Sequence, residues 1–79
     1  MHYKDDITYK GKKYYVSTNY TFDRGWETMI FRRESNDEVN WSDLYAELHG
    51  SEEDARQRHL EIISDIAIYQ MGGSYGLLQ

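Results

Sequence analysis

The sequence predicts a small α+β domain in which a three- or four-stranded antiparallel sheet packs against one C-terminal helix. Residues 14 to 22 alternate with the period of a β-strand, and residues 51 to 66 repeat apolar side chains with the period of a helix. A chain of 79 residues has room for one hydrophobic core. We therefore predict one domain over residues 1 to 73 in the order β-β-β-(β)-α. The tail of residues 74 to 79 is either loose or docked as an extended segment.

The first two strands are predicted to form a hairpin. Ile7 to Lys10 is a short run with β-strand propensity, and Tyr14 to Phe22 alternates side chains between two faces, with β-branched and aromatic residues on both. Gly11 stands between these runs and supplies the conformational freedom that a tight turn needs. Asp23-Arg24-Gly25 is a second turn signal, and it leads into a central strand over Trp26 to Arg33.

The segment from Val39 to His49 fits two periodicities. Trp41, Leu44, Tyr45 and Leu48 have helical spacing, whereas Leu44, Ala46 and Leu48 alternate as one face of a strand. The residues alone leave the choice between helix and strand open. The preceding residues, 34 to 38, are predicted to form a polar loop.

The helix is predicted to begin after Ser51, a good N-cap residue that is followed by three acidic residues where the helix dipole favours negative charge. Gly72-Gly73 is the predicted stop. Because apolar residues recur at spacings of three and four, one face is expected to pack on the sheet. The residues of that stripe are Ala55, His59, Ile62, Ile63 and Ile66, with Leu60 and Ala67 beside them.

The composition of the chain indicates where in the cell we expect the protein. The chain has no Cys, so neither disulfides nor thiolate metal sites hold the fold, which suits a reducing cytosol. The first twenty residues contain no apolar block of the kind found in a signal peptide. The longest apolar run falls far short of the roughly 20 residues that span a bilayer. We therefore expect a cytoplasmic protein that does not cross a membrane.

The net charge of −5 is unevenly distributed. Residues 1 to 33 carry seven basic and four acidic side chains, whereas residues 34 to 79 carry two basic and ten acidic ones. Within residues 34 to 54 there are eight acids and no Lys or Arg. Such opposite charges also allow self-association of the basic part of one copy with the acidic part of another, as a homo-oligomer.

No catalytic or cofactor motif is present. The sequence lacks a Gly-x-Ser-x-Gly element, a phosphate-binding glycine loop and a Cys nucleophile, so we expect no enzyme, no cofactor and no metal. His59 lies on the apolar stripe of the helix, where a polar core residue is the favoured interpretation. A metal site formed by His49, His59 and Glu53 is a weak alternative because their spacing matches no compact ligand motif.

Four segments resemble a family of small uncharacterised tailed-phage and prophage accessory proteins. They are Tyr15-Val16-Ser17-Thr18, Glu27-Thr28-Met29-Ile30-Phe31, Trp41-Ser42-Asp43-Leu44, and Ser51-Glu52-Glu53-Asp54-Ala55 with His59 four residues on. The resemblance covers roughly residues 14 to 63 and implies that residues 44 to 49 form a short strand leading into the helix. It implies a phage or prophage origin and an accessory role, and it transfers no activity to any residue.

The preferred hypothesis is a non-enzymatic phage accessory protein that binds and inhibits a host or defence protein in the host cytoplasm. Eight Tyr and two Trp exceed what so small a core can hold, and exposed Tyr and Trp are common interface anchors. The predicted contact surface is acidic and aromatic. It comprises Glu34, Asp37, Glu38, Trp41, Asp43, Tyr45 and Glu47.

The alternative hypothesis is a module that binds single-stranded nucleic acid. Basic side chains and aromatic side chains alternate in the N-terminal hairpins, and such surfaces contact phosphates and stack on bases. The candidate residues are Lys12, Lys13, Arg24, Arg32 and Arg33. The acidic total charge weighs against this alternative because it repels phosphate.

Overall fold

The computed structural model describes residues 2 to 9 and 11 to 64. Its elements are β1 (His2–Tyr9), β2 (Lys12–Thr21), β3 (Gly25–Arg33), β4 (Val39–His49) and α1 (Glu52–Ile62). The four strands form one antiparallel sheet in the order β1-β2-β3-β4, and α1 packs on one of its faces. The predicted α+β architecture is confirmed, with four strands.

The core lies between α1 and the sheet. Strand residues that alternate along β2, β3 and β4 meet Ile62 of α1, because every second side chain of a strand points to the same face. The buried core residues are Tyr14, Val16, Ile30, Tyr45 and Ile62, with Ile7, Tyr9, Leu44 and Ile63 packed against them. Ala55 is also fully buried, which brings the N-terminal part of α1 close to the sheet.

The two hairpin turns depend on glycines with positive φ. Gly11 has φ +78° and Gly25 has φ +76°, a region that L side chains rarely adopt. A strand was predicted over residues 14 to 22, but β2 ends at Thr21. Phe22 lies in the β2–β3 turn, where its side chain is 99% exposed. Phe22 was expected on the strand face, and this expectation is wrong because the connection already begins after Thr21.

The edge strands differ from the sequence prediction in two ways. β1 begins at His2 rather than near Ile7, and it pairs with β2 over its whole length. Residues 39 to 49 form a strand, which resolves the ambiguity between helix and strand. β4 is irregular in the middle, because the register with β3 shifts between Ile30 and Arg32.

α1 begins as predicted and ends earlier than predicted. The Ser51 side chain accepts a hydrogen bond from the Asp54 backbone N–H, as an N-cap does. The helix ends at Ile62, and the Ser64 hydroxyl and backbone N–H both donate to the Glu61 carbonyl oxygen, at 2.6 and 3.1 Å. Residues 65 to 79, with the predicted stop at Gly72-Gly73 and the predicted tail, lie outside the described residues.

Candidate functional site

An aromatic cluster lies on the sheet face opposite α1. Tyr15 of β2 and Phe31 of β3 are cross-strand partners whose ring centroids lie 6.2 Å apart. The irregular part of β4 brings Trp41 over both, edge-on at 5.1 Å from Phe31 and 6.2 Å from Tyr15. Stacked and edge-on ring pairs at these distances are favourable beyond the area they bury. The cluster therefore holds Trp41 in a defined position.

Burial divides the cluster into a base and an exposed part. Phe31 is 5% exposed, whereas Trp41 is 69% exposed. The register extends the apolar surface along β3 and β4, since Met29 pairs with Ala46 and the 59% exposed Leu48 lies two residues further on. No helix among residues 2 to 64 covers this side. We call the surface of Tyr15, Met29, Phe31, Trp41, Ala46 and Leu48 the uncovered face.

Arg33 closes one end of the uncovered face. Its guanidinium lies 5.3 Å from the centre of the Tyr15 ring, which is cation–π distance. It also donates to Asp6 Oδ1 and to the Asp37 backbone oxygen, both at 2.6 Å. The hydrogen bond to Asp6 raises the pKa of Arg33. The Arg33 charge is thus compensated within the fold, and its plane packs against an aromatic ring.

The predicted acidic contact surface is divided by the sheet. Trp41, Glu38 and Asp43 are exposed near the β3–β4 connection, as a contact surface requires. Asp37 pairs with Lys13 at 3.1 Å, and Glu34 accepts from Asn40 at 2.7 Å, so both are engaged within the fold.

Tyr45 and Glu47 do not belong to this surface, which corrects the prediction. Tyr45 is a core residue with 8% exposure, and its hydroxyl donates to Glu47. Glu47 accepts from Arg58 of α1 at 2.9 Å. Both side chains face the helix because the alternation of β4 places them on the same side as Ile30 and Thr28, their partners in β3.

The five predicted nucleic-acid contacts also separate. Lys12, Lys13, Arg32 and Arg33 line a cleft of about 350 Å³ at one end of the sheet, together with Gly11, Glu34, Ser35 and Asp37. Arg24 lies in the turn at the other end of β3 and pairs with Glu27 at 3.0 Å. Four of the five basic residues therefore share this site, which we call the basic cleft, and Arg24 does not.

A chain of hydrogen bonds crosses the sheet beneath α1. His59 Nε2 lies 2.8 Å from Asp5 Oδ2, and His59 Nδ1 lies 2.8 Å from Thr18 Oγ1. Thr18 Oγ1 lies 2.6 Å from Thr28 Oγ1, which in turn lies 2.8 Å from His49 Nε2. Both threonines are fully buried and His59 is 2% exposed. We call these five side chains the buried network.

His59 is therefore a buried polar core residue, as the sequence favoured. Both of its ring nitrogens are engaged, one by Asp5 and one by Thr18, so neither is free to bind a metal. Glu53 is exposed on the outside of α1, away from this arrangement. Across the described residues, no group of three or more acidic or histidine side chains is placed to hold a metal ion.

Asp5, His59 and Thr18 are linked in the same order as the carboxylate, the imidazole and the hydroxyl nucleophile of a catalytic triad. Thr18 is fully buried, however, and its hydroxyl is shared with Thr28. A substrate carbonyl cannot reach an oxygen that is closed off on all sides. The bonds of His59 to Asp5 and Thr18 instead join α1 to β1 and β2.

Sequence reasoning missed Asp5, Thr18 and Thr28 as functional partners of His59. A signal was present, because Thr18 and Thr28 occupy core-facing positions beside Val16 and Ile30 in the strand alternation. Buried hydroxyls need partners, and the histidine on the apolar stripe of the helix is the natural one.

No family model, curated protein or solved structure matches this chain. Within the described part of the chain, every helix is too short or too polar to cross a bilayer.

Proposed function

We propose that this protein is a non-enzymatic binding module that contacts a partner protein with the uncovered face. The observation that carries the proposal is Trp41, which is 69% exposed yet fixed on the buried Phe31. A large side chain that is held in place loses little conformational freedom on binding, which is why such residues are frequent interface anchors.

Charge beside Trp41 indicates the chemistry of the partner. Glu38, just before the edge strand β4, and Asp43, on β4, are exposed on either side of it in the sequence of an acidic chain. A partner surface that combines an apolar pocket with basic residues complements this arrangement. Neutralising both acids in a Glu38→Gln/Asp43→Asn variant is expected to slow association most at low salt.

The resemblance to small tailed-phage proteins adds the biological part of the proposal. In that setting the partner is a host or defence protein, and binding inhibits it. The small size of the domain and the burial of His59 and Thr18 support a role without catalysis.

Site-specific photo-cross-linking tests the proposal. A photoreactive phenylalanine is placed at position 41 or, as a control, at position 57, because Gln57 is exposed on α1. Each protein is irradiated in a bacterial cell extract with an excess of unlabelled competitor. We expect a discrete product from position 41 that wild type and Gln57→Ala suppress and Trp41→Ala does not.

Three outcomes would overturn the proposal. They are the absence of a product from position 41, an equal product from position 57, and suppression by Trp41→Ala as strong as that by wild type. Each would mean that the uncovered face does not select a partner.

The basic cleft supports single-stranded nucleic acid binding as the second candidate function. Lys12, Lys13, Arg32 and Arg33 surround it, and Arg33 connects it to the Tyr15 ring. Phosphate contacts beside an aromatic ring are the usual means of binding single strands.

Fluorescence anisotropy with a labelled oligothymidine tests this second candidate. Binding at low salt should weaken steeply as salt is added, because each neutralised phosphate releases counterions. Arg32→Glu should abolish binding, whereas Arg24→Glu, at the other end of the sheet, should leave most of it. No binding at low salt, or equal loss in both variants, removes this candidate.

A further inference from the structure

A single arrangement of hydrogens satisfies every bond of the buried network when both imidazoles are neutral. The ionised Asp5 carboxylate only accepts, so His59 carries its hydrogen on Nε2, and its Nδ1 accepts from Thr18. The Thr18 oxygen then accepts from Thr28, and the Thr28 oxygen accepts from His49 Nε2. Each hydroxyl donates once and accepts once.

One added proton fits this network in two ways. If the proton binds to His49 Nδ1, which lies 3.7 Å from Glu47 Oε1, all the hydrogen-bond directions stay unchanged. On His59 Nδ1 it reverses them: His59 donates to Thr18, Thr18 donates to Thr28, and Thr28 donates to His49 Nε2. The hydrogen of the neutral His49 then lies on Nδ1, so every donor in the network still has an acceptor.

A second added proton does not fit. Both imidazoles then donate inwards, one to Thr18 and the other to Thr28. The two hydroxyls still carry one hydrogen each, and the bond between them uses only one of these. The remaining hydroxyl hydrogen has no acceptor within the network, and both threonines are fully buried. An unpaired buried donor is strongly unfavourable.

We propose that the buried network is a pH-sensitive latch that holds one added proton and releases α1 from the sheet when a second is taken up. His59 is the member of the network that lies on α1, and its two hydrogen bonds join α1 to β1 and β2, so α1 is the element that a broken bond frees. Release would expose the core face of the sheet, which the proposed partner-binding function does not use.

The charged and titratable groups that face the two imidazoles are distributed over three elements. Asp5 and the Tyr3 ring lie against His59 on β1, with 5.8 Å between the Tyr3 and His59 ring centroids. Glu47 of β4 faces His49, and Arg58 of α1 already pairs with the same Glu47 oxygen at 2.9 Å. β2 and β3 contribute the neutral threonine hydroxyls.

Nuclear magnetic resonance of the full chain with ¹⁵N-labelled histidine tests the latch. When both buried rings are neutral, each should carry its hydrogen on Nε2, and the exposed His2, which lies outside the network, serves as the internal reference. When the two rings together have taken up one proton on acidification, the amides of α1 should stay protected. The second uptake should coincide with about a tenfold or greater loss of α1 amide protection, after correction for intrinsic exchange.

His49→Gln is the matched variant, because a glutamine amide can donate to Thr28 or accept from it. In this variant His59 should become fully protonated while α1 stays protected at the pH where wild type loses it. Two protonated rings in wild type with α1 still protected would overturn the latch, as would loss of α1 at the same pH in both proteins.

Discussion

Thr18 and Thr21 both lie on β2, and they differ in whether their hydroxyl groups are hydrogen-bonded. Thr18 bonds to Thr28 and His59, whereas the buried Thr21 Oγ1 has no hydrogen-bond partner among the described residues. Removing a hydroxyl that satisfies buried partners is costly, and removing one that has none is not.

Thr18→Val is therefore expected to lower the free energy of unfolding by about 1–3 kcal/mol, since it leaves His59 and Thr28 each short of a partner. Thr21→Val, the matched control, should be neutral or stabilising. Urea unfolding of both variants measures the difference. Equal destabilisation by the two substitutions would contradict the assigned role of the buried network.

Tyr3 provides a pH-dependent test at the residue scale. Partial burial raises the pKa of its hydroxyl, and the hydrogen bond to Glu52 at 3.3 Å raises it further. The folded state therefore retains the Tyr3 proton to higher pH than the unfolded state. This stabilisation is fully present below the ordinary tyrosine pKa of about 10 and is lost as pH rises through the folded value.

Between about pH 9 and pH 11 the stability of wild type should consequently fall more steeply than that of Tyr3→Phe. Urea unfolding across this range gives both slopes. Parallel slopes would show that Tyr3 titrates alike in the folded and unfolded states.

Sequence patterns predicted the burial or exposure of some side chains correctly and that of others wrongly. The burial of His59 and the exposure of Trp41 followed from a helical stripe and from an excess of aromatic residues. Tyr45 was misplaced because one residue of shift in a strand moves a side chain to the other face, and periodicity did not fix that register. Asp5 was missed because its partner lies on a distant element.

At the scale of elements, the β2–β3 turn depends on Gly25 at φ +76°. A Cβ there would meet no neighbour within 4 Å, so backbone strain is the expected cost of Gly25→Ala, about 1 kcal/mol. Gly50 also has open space around it and lies outside the left-handed region. Gly50→Ala is the matched control.

Thermal and urea unfolding should show a loss for Gly25→Ala and none for Gly50→Ala, which can even gain stability because alanine restricts the unfolded chain. A loss of the same size at both positions would point to a general effect of the methyl group. That result would rule out backbone strain at Gly25 as the cause of the lost stability.

Elements with strong local signals were predicted from sequence, and irregular ones were not. The N-cap of α1, the alternation of β2 and the turn glycines each use short-range chemistry. β1 starts at His2 in a run of charged residues, which hides its pairing with β2. The irregularity of β4 that brings Trp41 onto Phe31 depends on the facing strand, which a local pattern does not contain.

At the scale of the whole molecule, the sheet has two different faces. One carries α1, the apolar core and the buried network, and the other carries the uncovered face with its aromatic cluster. The charge division seen in the sequence is only partly a division in space, since Lys13 pairs with Asp37 and Arg58 pairs with Glu47. Two further exposed acids, Glu38 and Asp43, flank Trp41 in the sequence.

The central claim is that the uncovered face is open in the isolated protein and available to a partner. Hydroxyl-radical footprinting of this chain, read by mass spectrometry, tests it most directly. Trp41 and Met29 should be oxidised rapidly, and Tyr14 and Tyr45 of the core slowly. Protection of Trp41 and Met29 to the level of Tyr45 would contradict the account, because it would show that the protein itself covers this face.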